Sequence, residues 1–336
     1  MLTAKTLDKY DQSGMHKIYD EWPEISFNTF SNTKNHVDFR NIDHIVFAGM
    51  GGSGAVGELM SSVLSKSDLH TSVVKGYLLP KTVDRNTLLV ATSISGFTTE
   101  TLTILKNASK LGCKIIAFSS GGKMQDYCEK NNLIHQKIIQ IHSPRTSFPT
   151  AVYSMLAVLG PVFGIKKSDI KESIDMLYKT GITIDSNNLS TTNPALALAL
   201  WISKIPIIYY PHGLQAAAIR FKNSLQENSK IHAIAEDVIE MCHNGIVSWE
   251  TPSSVQPILI RGTDDYIKTK ERWEILKKYF RIHNIDFKEI RSVSGSILSK
   301  LMNLIYLLDY ATIYHAVLNR RDPSPVRSID YIKSNI

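Results

Sequence analysis

The chain has 336 residues, 43% of them hydrophobic, and it carries 38 lysine and arginine residues against 31 aspartate and glutamate residues, a formal net charge of +7. Such a length and composition are typical of a globular protein with one large or two ordinary domains. The basic residues are scattered among acidic ones and form no stripe with aromatic residues. The charge therefore predicts a mild attraction for anionic metabolites and no nucleic-acid partner.

The sequence also limits where the protein is expected to work. It contains no run of 18 or more apolar residues, and its most apolar stretch, residues 151–165, is interrupted by a glycine and a proline, so we expect no membrane segment. The N-terminus lacks the apolar block of a signal peptide. The cysteines Cys113, Cys128 and Cys242 form no CxxC pair, which is typical of reduced thiols and does not indicate a metal site. We expect a cytoplasmic protein without a bound metal.

Strands and helices are predicted to alternate along the first half of the chain, after a polar lead-in of about 35 residues. The predicted strands are 44–48, 72–75, 87–91, 114–119 and 133–141, and the predicted helices are 53–64, 98–111, 124–131 and 151–162. Strands interleaved with helices of ten or more residues indicate βαβ units and a parallel sheet.

A second alternating unit follows residues 185–193, a stretch rich in Asn, Ser and Thr that predicts a loop or linker. Its predicted helices are 194–203, 214–229, about 235–241, 266–283 and 297–318, and its predicted strands are 205–210, 257–261 and 287–290. The predicted fold class is α/β. The predicted boundaries are a lead-in of residues 1–35, a first domain of 36–165, a connecting helix or linker of 166–190, a second domain of 191–320 and a tail of 321–336.

Two short loops of the first half carry most of the functional information. GMGGSG at residues 49–54 and TSISGFTTE at residues 92–100 each follow an apolar strand and open a helix. Such a joint directs backbone N–H groups and the positive end of the helix dipole toward one point, and hydroxyls add uncharged donors. Simple helix capping would explain Ser53 or Thr98 alone. The clustering of hydroxyls in two loops of one sheet instead favours a site for a phosphorylated ligand.

The first loop also fits the dinucleotide-binding pattern G-x-G-x-x-G, through Gly49, Gly51 and Gly54. That pattern calls for an acidic residue near the end of the next strand to hold the ribose, and residues 73–77 contain none. Lys75 could meet a 2′-phosphate, so a nicotinamide-dependent oxidoreductase stays a distant alternative. The second loop favours the phosphate site, because a dehydrogenase has no need of it.

Further motifs follow these loops in order along the chain. They are SPRTSFP at 143–149, QENSK at 226–230, HN at 243–244, LSKLMNLIYLLDYATIY at 298–314 and DPSPVRSIDYIK at 322–333. Together with the loops, this set resembles the sugar isomerase (SIS) domain superfamily and, within it, the archaeal-type bifunctional phosphoglucose/phosphomannose isomerases. The resemblance implies two SIS domains, each a parallel β-sheet flanked by helices in three αβα layers. It also implies a homodimer that interconverts glucose 6-phosphate, fructose 6-phosphate and commonly mannose 6-phosphate without a metal or cofactor.

The resemblance further implies roles for individual residues. Phosphate-binding positions are matched by Gly52, Ser53, Ser93, Ser95 and Thr98, and catalytic positions by Glu227, His243, Arg145 and Lys300. Glu227 would move a proton between C1 and C2 through a cis-enediol(ate). His243 would open the sugar ring from the neighbouring subunit, with assistance from Lys300. Arg145 would stabilise the developing enediolate oxygen.

Two positions depart from the family pattern: Phe97 stands where a small or polar residue is usual, and Gly245 follows HN where Glu is frequent. A non-catalytic sugar-phosphate sensor could keep both loops, but such regulators usually carry a DNA-binding helix-turn-helix, and none is apparent. The combination of Glu227, Arg145 and His243 favours an enzyme. Its expected partners are hexose 6-phosphates and a second copy of the chain, with neither nucleic acid nor membrane.

Overall fold

The structure, a computed structural model, describes residues 2–35 and 37–335. These residues contain two parallel β-sheets. One sheet lies in a compact unit of residues Glu21–Asp175, called here the first unit. The other lies in the second unit, which consists of the described residues up to Asp20 and from Met176 onward. Each unit is described by itself below.

The two helices that open the chain, α1 (Ala4–Tyr10) and α2 (Met15–Asp20), belong to the second unit. Tyr19 of α2 is fully buried there, and its hydroxyl donates to the Asp309 carboxylate over 3.1 Å. The sequence instead groups residues 1–35 into one lead-in. The two units are defined by compactness, whereas the domains predicted from the sequence are continuous segments of the chain. The predicted domain limits therefore stay a prediction.

The first unit alternates strands and helices as the sequence predicts. Its elements are α3 (Trp22–Asn32), β1 (His44–Ala48), α4 (Gly51–Leu64), β2 (His70–Val74), β3 (Thr87–Thr92), α5 (Thr99–Ala108), β4 (Lys114–Ser119), α6 (Gly122–Lys130), β5 (Ile134–Lys137), α7 (Phe148–Leu159) and the start of α8 (Lys167–Ile184). The sheet has the order β2-β1-β3-β4-β5, and every pairing is parallel. Strands β1 and β3 are buried along their whole length, as expected when helices cover both faces of a parallel sheet.

The register of this sheet brings the two glycine- and hydroxyl-rich loops together. Ala48, the last residue of β1, is paired with Ala91 of β3. Parallel strands end at the same edge of a sheet, so the loops that follow β1 and β3 leave side by side. The edge at the carboxyl ends of the strands is also where ligands bind in open α/β sheets.

The second unit repeats this plan on a smaller sheet. Its elements are the end of α8, α9 (Pro194–Trp201), β6 (Ile205–Tyr210), α10 (Gln215–Ser224), β7 (Ile234–Asp237), α11 (Val238–Met241), β8 (Val255–Arg261), α12 (Ile267–Ile282), β9 (Lys288–Arg291), α13 (Ile297–Leu318) and α14 (Arg327–Ser334). The four parallel strands have the order β7-β6-β8-β9. The α/β class predicted from the sequence is confirmed, with two parallel-sheet units.

One predicted element of the second unit is wrong. The sequence favours a helix at about 235–241, but residues Ile234–Asp237 form the edge strand β7, and only the short turn α11 follows. Strand β7 is paired with β6, with Ile234 opposite Ile207. The segment is short and mixes apolar and acidic residues, so its local preference is weak, and pairing with a neighbouring strand decides its conformation.

Helix α13 is the core of the second unit. Its length and hydropathy are those of a possible membrane span, but 94% of the apolar window is buried inside the protein, as is typical of a core helix. Asp309 in its middle is fully buried and pairs with Arg220 of α10, Nη2 to Oδ2, over 2.6 Å. By contrast, α14 has no buried residue, and Tyr331 is 69% exposed.

Candidate active site

In the loop between β1 and α4, the backbone packs closely against itself and against the end of β3. A Cβ atom on Gly54 would lie 2.8 Å from the carbonyl oxygen of Gly49, and a Cβ on Gly49 would lie 3.0 Å from that of Thr92. A side chain at residue 49 would push the loop away from β3, and one at residue 54 would clash within the loop itself. The glycines therefore let the first N–H groups of α4, which have no intrahelical acceptor, stand next to the second loop.

A serine hydroxyl joins the two loops. Ser53 is 5% exposed, and its Oγ accepts a hydrogen bond from the backbone N–H of Ile94 over 3.1 Å. Because the donor is in the loop after β3 and the acceptor is in α4, the two loops form one hydrogen-bonded structure. The resemblance predicts that Ser53 binds the phosphate, but nothing in the sequence predicts its hydrogen bond with Ile94.

The hydroxyls of the loop after β3 hold that loop in shape. Ser93 is fully buried; its Oγ accepts from the N–H of Gly96 over 3.2 Å and lies 2.9 Å from Oγ1 of Thr98. Ser95 is half-buried, and its Oγ accepts from the N–H of Phe97 over 3.4 Å. Ser93 is thus placed to fix the loop, whereas Ser95 and Thr98 are nearer its surface.

A third loop at the same edge was missed from the sequence. Residues Ser119-Ser120-Gly121-Gly122 join β4 to α6, the same strand–loop–helix arrangement as in the other two loops. The N–H of Ser120 donates to the carbonyl of Ile94 over 2.9 Å, and that of Met124 donates to Gly96 over 3.0 Å. The third loop therefore supports the second. The SSGG run between an apolar strand and a helix is the signal that would have identified it.

Gly96 is the most tightly enclosed glycine of these loops. Its φ of +75° lies in the left-handed region, and a Cβ there would be only 1.8 Å from the carbonyl oxygen of Gly121. Gly112 has a similar φ of +70°, with nothing within 4 Å of a Cβ. The two positions therefore separate the cost of the backbone conformation from the cost of the clash.

We expect Gly112→Ala to lower the free energy of unfolding by roughly 1–2 kcal/mol, the cost of a left-handed conformation for a residue with a Cβ. Gly96→Ala should lower it by roughly 3 kcal/mol or more, because overpacking adds to that strain. Urea unfolding of both variants measures the difference. Equal losses would contradict the close contact between the second and third loops.

Arg145 lies beside the first loop, in a turn that is stabilised by hydrogen bonds from the hydroxyl groups of neighbouring residues. Oγ of Ser147 donates to the carbonyl of Ser143 over 2.8 Å, and Oγ1 of Thr146 donates to that of Ile141 over 2.6 Å. A Cβ on Gly52 would lie 3.4 Å from Cα of Arg145. Arg145 itself is 7% exposed. The turn thus places the backbone of Arg145 next to the N-terminus of α4.

Glu227 of the second unit lies in an unusual turn. Helix α10 ends at Ser224, and Leu225–Ser229 continue it as a π-helical turn, a feature that occurs frequently at functional sites. Lys230 then ends the turn with a φ of +58°. The Glu227 side chain is half-buried. The sequence predicted one continuous helix here, because residues of an α-helix and of a π-helical turn share the same apolar pattern.

His243 is exposed in the single chain, just after α11. Gly245, two residues on, makes room for an acidic side chain: a Cβ there would lie 3.0 Å from Oε1 of Glu236. Burial, together with the nearby Glu240 and Asp237, raises the pKa of Glu236 above its ordinary value. The absence of a side chain at residue 245 therefore matches the presence of this carboxylate.

Lys300 forms an ion pair with Asp264, Nζ to Oδ2, over 2.7 Å. This contact lowers the pKa of the Asp264 carboxyl. Lys300 stands at the start of α13, about twelve residues before Thr312, which hydrogen-bonds Asn228 beside Glu227. At 1.5 Å per helical residue this separation is about 18 Å along the helix, so Lys300 is attached well away from the part of α13 that contacts the turn of Glu227.

The loops at the corresponding edge of the second sheet differ from those of the first. After β8, the N–H of Gly262 donates to the carboxylate of Asp265 over 3.0 Å, and Trp273 Nε1 donates to the same oxygen over 3.1 Å. Burial raises the pKa of Asp265. This loop already holds a carboxylate of its own chain, so it offers an external anion a poorer site than the first sheet does.

Burial raises the pKa of Cys128 to about 11, which leaves the thiol protonated and unreactive at neutral pH. Across residues 2–35 and 37–335, no three His, Cys, Asp or Glu side chains form a group that could hold a metal ion.

Comparison with known proteins agrees with this architecture. Residues 38–159 match the SIS domain model, and residues 191–336 match the model of the bacterial phospho-glucose isomerase C-terminal SIS domain. The solved structure of a hypothetical protein from Thermus thermophilus superposes with a TM-score of 0.73 at 15% identity, covering 98% of this chain and 91% of that one. At that identity the likeness shows the fold alone. The chain is therefore an α/β protein with two SIS domains.

Its relatives define the family more narrowly. A bifunctional phosphoglucose/phosphomannose isomerase of Caldicellulosiruptor bescii is 33% identical, over 96% of this chain and 95% of the relative. A protein of the same name from Aquifex aeolicus is 29% identical, over 87% of this chain and 90% of the relative. The chain belongs to the bifunctional phosphoglucose/phosphomannose isomerase family. The resemblance drawn from the motifs is confirmed, and so is the enzyme class, an isomerase.

Proposed function

We propose that this chain interconverts glucose 6-phosphate, fructose 6-phosphate and mannose 6-phosphate by proton transfer through a cis-enediol(ate). The observation that carries the proposal is the pair of loops joined by Ser53 and Ile94, with Arg145 beside them. Such an arrangement suits a phosphorylated sugar: it offers amides and hydroxyls for the dianion and one cation for a developing negative charge. A cytoplasmic location is part of the same proposal, since hexose phosphates are metabolites of that compartment.

In this proposal the phosphate is bound by the N–H groups at the start of α4 and by the loop after β3. Gly52 supplies a backbone N–H that has no partner within the helix, and its lack of a side chain lets the phosphate come close to that N–H. The hydroxyls of Ser95 and Thr98 donate to the phosphate. Those of Ser53 and Ser93 donate to it as well, while their oxygens accept from the backbone and hold the loops together. Binding by neutral donors suits turnover, because the product carries the same phosphate and must leave.

The chemical step needs one base and one stabilising charge. Glu227 removes the proton from C2 of an aldose or C1 of a ketose and returns it to the neighbouring carbon. Arg145 stabilises the negative charge that develops on the enediolate oxygen. Lys300 assists ring opening as a positive point charge, and in the single chain it is held in an ion pair with the exposed Asp264.

Ring opening is assigned to His243 of the neighbouring subunit, in a homodimer. The exposure of His243 in the single chain supports this assignment, because a side chain that serves another subunit must project from its own. A half-buried Glu227 from one chain and His243 from the other would then share one active site.

Mixing two inactive variants tests this arrangement. Co-refolded Glu227→Gln and His243→Asn chains should recover about a quarter of wild-type activity, since half of the dimers are mixed and each mixed dimer keeps one intact site. If both residues served the same chain, every site would carry a lesion and no activity would return. The unmixed variants, refolded in the same way, are the control.

The substrate assignment is tested by a proton NMR time course in heavy water, with each of the three hexose 6-phosphates. We expect each to convert to the same equilibrium mixture, with deuterium appearing at C1 or C2. Binding without conversion would indicate a sugar-phosphate sensor. Conversion that needs a nicotinamide and changes its absorbance would indicate an oxidoreductase. Either result would overturn the proposal.

A further inference from the structure

The turn that carries Glu227 is held by helix α13. The amide nitrogen Nδ2 of Asn228 donates to Oγ1 of Thr312 over 2.8 Å, and Oγ of Ser229 donates to the Thr312 carbonyl over 2.9 Å. Asn228, Ser229 and Thr312 are all fully buried. The two residues that follow Glu227 thus contact the same residue of α13, one through its side chain and one through its backbone.

Arg321 holds the turn from another direction. Its Nη1 donates to the carbonyl of Ser229 over 2.8 Å. The ammonium group of Lys230 contacts the carbonyl of Glu227 itself and donates to that of Pro323 over 3.1 Å. The wide turn therefore owes its shape to side chains and not to the regular ladder of an α-helix. A turn of this kind can fix the direction of one side chain only while these contacts persist.

Thr312 is hydrogen-bonded to the backbone of Asp309, whose side chain forms the buried ion pair of α13. Its hydroxyl donates to the carbonyl of Asp309 over 2.6 Å. The Asp309 carboxylate accepts from Arg220 Nε over 2.9 Å and from Ser224 Oγ over 2.7 Å. Burial opposes the charge of Arg220, but Asp309 and, to a smaller extent, Glu227 raise its pKa.

We propose that Thr312 is a positioning residue for Glu227: its hydroxyl fixes the π-helical turn and thereby aims the carboxylate. The inference rests on the proposed function, in which Glu227 is the base. Nothing in the sequence singles out Thr312, because an alcohol in the middle of an apolar helix is commonly explained by a bond to the backbone of its own helix. Here the same hydroxyl also accepts from the turn.

The chain supplies a matched control. Oγ1 of Thr180 also accepts from a buried asparagine, Nδ2 of Asn303, over 2.8 Å, and donates to the carbonyl of Met176 over 2.8 Å. Each of Thr180→Val and Thr312→Val therefore removes one hydrogen bond from a buried asparagine and one to a carbonyl of its own helix. Both variants should lower the midpoint of thermal unfolding by similar amounts. Of these two threonines, only Thr312 has a hydrogen bond to the turn of Glu227.

We expect Thr312→Val to lower kcat by roughly 10²-fold, the cost of a displacement of about 1 Å in a catalytic group, with KM for fructose 6-phosphate unchanged. The deuterium isotope effect with C2-deuterated glucose 6-phosphate should rise, because proton transfer becomes slower than the other steps. Thr312→Ser, which keeps the hydroxyl, should restore most of kcat. Thr180→Val should change neither kcat nor the isotope effect.

The outcomes separate the two proposals. If Thr312→Val behaves like Thr180→Val while Glu227→Gln is inactive, the positioning role is wrong and the base assignment stands. If Glu227→Gln is active, the base assignment itself is wrong. Should Thr312→Val fail to fold, Asn228→Ala removes the hydrogen bond to the Thr312 hydroxyl from the side of the turn, without a change in α13. A loss of kcat with unchanged KM in that variant supports the proposal, and wild-type kinetics overturn it.

Discussion

Replacement of Glu227 by glutamine should lower kcat for the conversion of fructose 6-phosphate by about 10²–10⁴-fold, the contribution of a positioned general base. Glutamine keeps the size of the side chain and loses the basic oxygen. Affinity for the sugar phosphate should stay close to that of the wild type, because the proposed phosphate site lies in the loops of the first sheet. Stopped assays give kcat, and calorimetry with fructose 6-phosphate gives the affinity.

The matched control for this variant is Glu271→Gln on helix α12. Glu271 forms an exposed ion pair with Lys268 over 2.8 Å, and its side chain is half exposed, so its loss should leave the kinetics unchanged. Deuterium exchange at C1 and C2 should vanish only in Glu227→Gln. Normal exchange in that variant would show that another group moves the proton.

Replacement of Arg145 by glutamine should lower kcat by roughly 10²–10³-fold, as does the loss of a preorganised donor to a developing oxyanion. The charge matters most when the enediolate forms, so KM should change less than kcat. A phosphorylated five-carbon aldonohydroxamate, which imitates the planar enediolate, should lose affinity by about the same factor as kcat/KM falls, as expected of a transition-state analogue.

Arg40→Gln provides the comparison for Arg145. Arg40 belongs to the same unit, but its side chain is 82% exposed and pairs with Asp38 over 2.7 Å. Exposed ion pairs contribute little to stability, so this variant should retain wild-type kcat and affinity. An equal loss of affinity for substrate and for the enediolate analogue in Arg145→Gln would instead show that Arg145 binds the phosphate.

Most of the fold follows from patterns that are local in sequence. Alternating apolar strands and helices predict both sheets, and α13 begins and ends at the predicted residues, 297 and 318. The sequence pattern does not predict the conformation of a segment whose structure depends on tertiary contacts. Strand β7 is a strand because β6 pairs with it, and residues Leu225–Ser229 form a wide turn because α13 and Arg321 hold them.

The candidate site shows the same division. The glycine loops are visible in the sequence because each follows an apolar strand, and their proximity follows from the parallel register. The bond between Ser53 and Ile94 is not visible, since it joins residues about forty positions apart. Nor does the sequence reveal that Asp264 neutralises Lys300, because two oppositely charged residues on separate elements carry no pattern that relates them.

The carboxylate of Asp265 has a consequence for how many ligands a chain can take up. By occupying the Gly262 amide, it acts as a permanent internal substitute for an anion at the second sheet. Titration with fructose 6-phosphate should therefore saturate at one molecule per polypeptide, even though the chain contains two sheets of similar plan. In the proposed function the first sheet alone binds the phosphate ester, and the second unit supplies Glu227 and His243 for the chemistry.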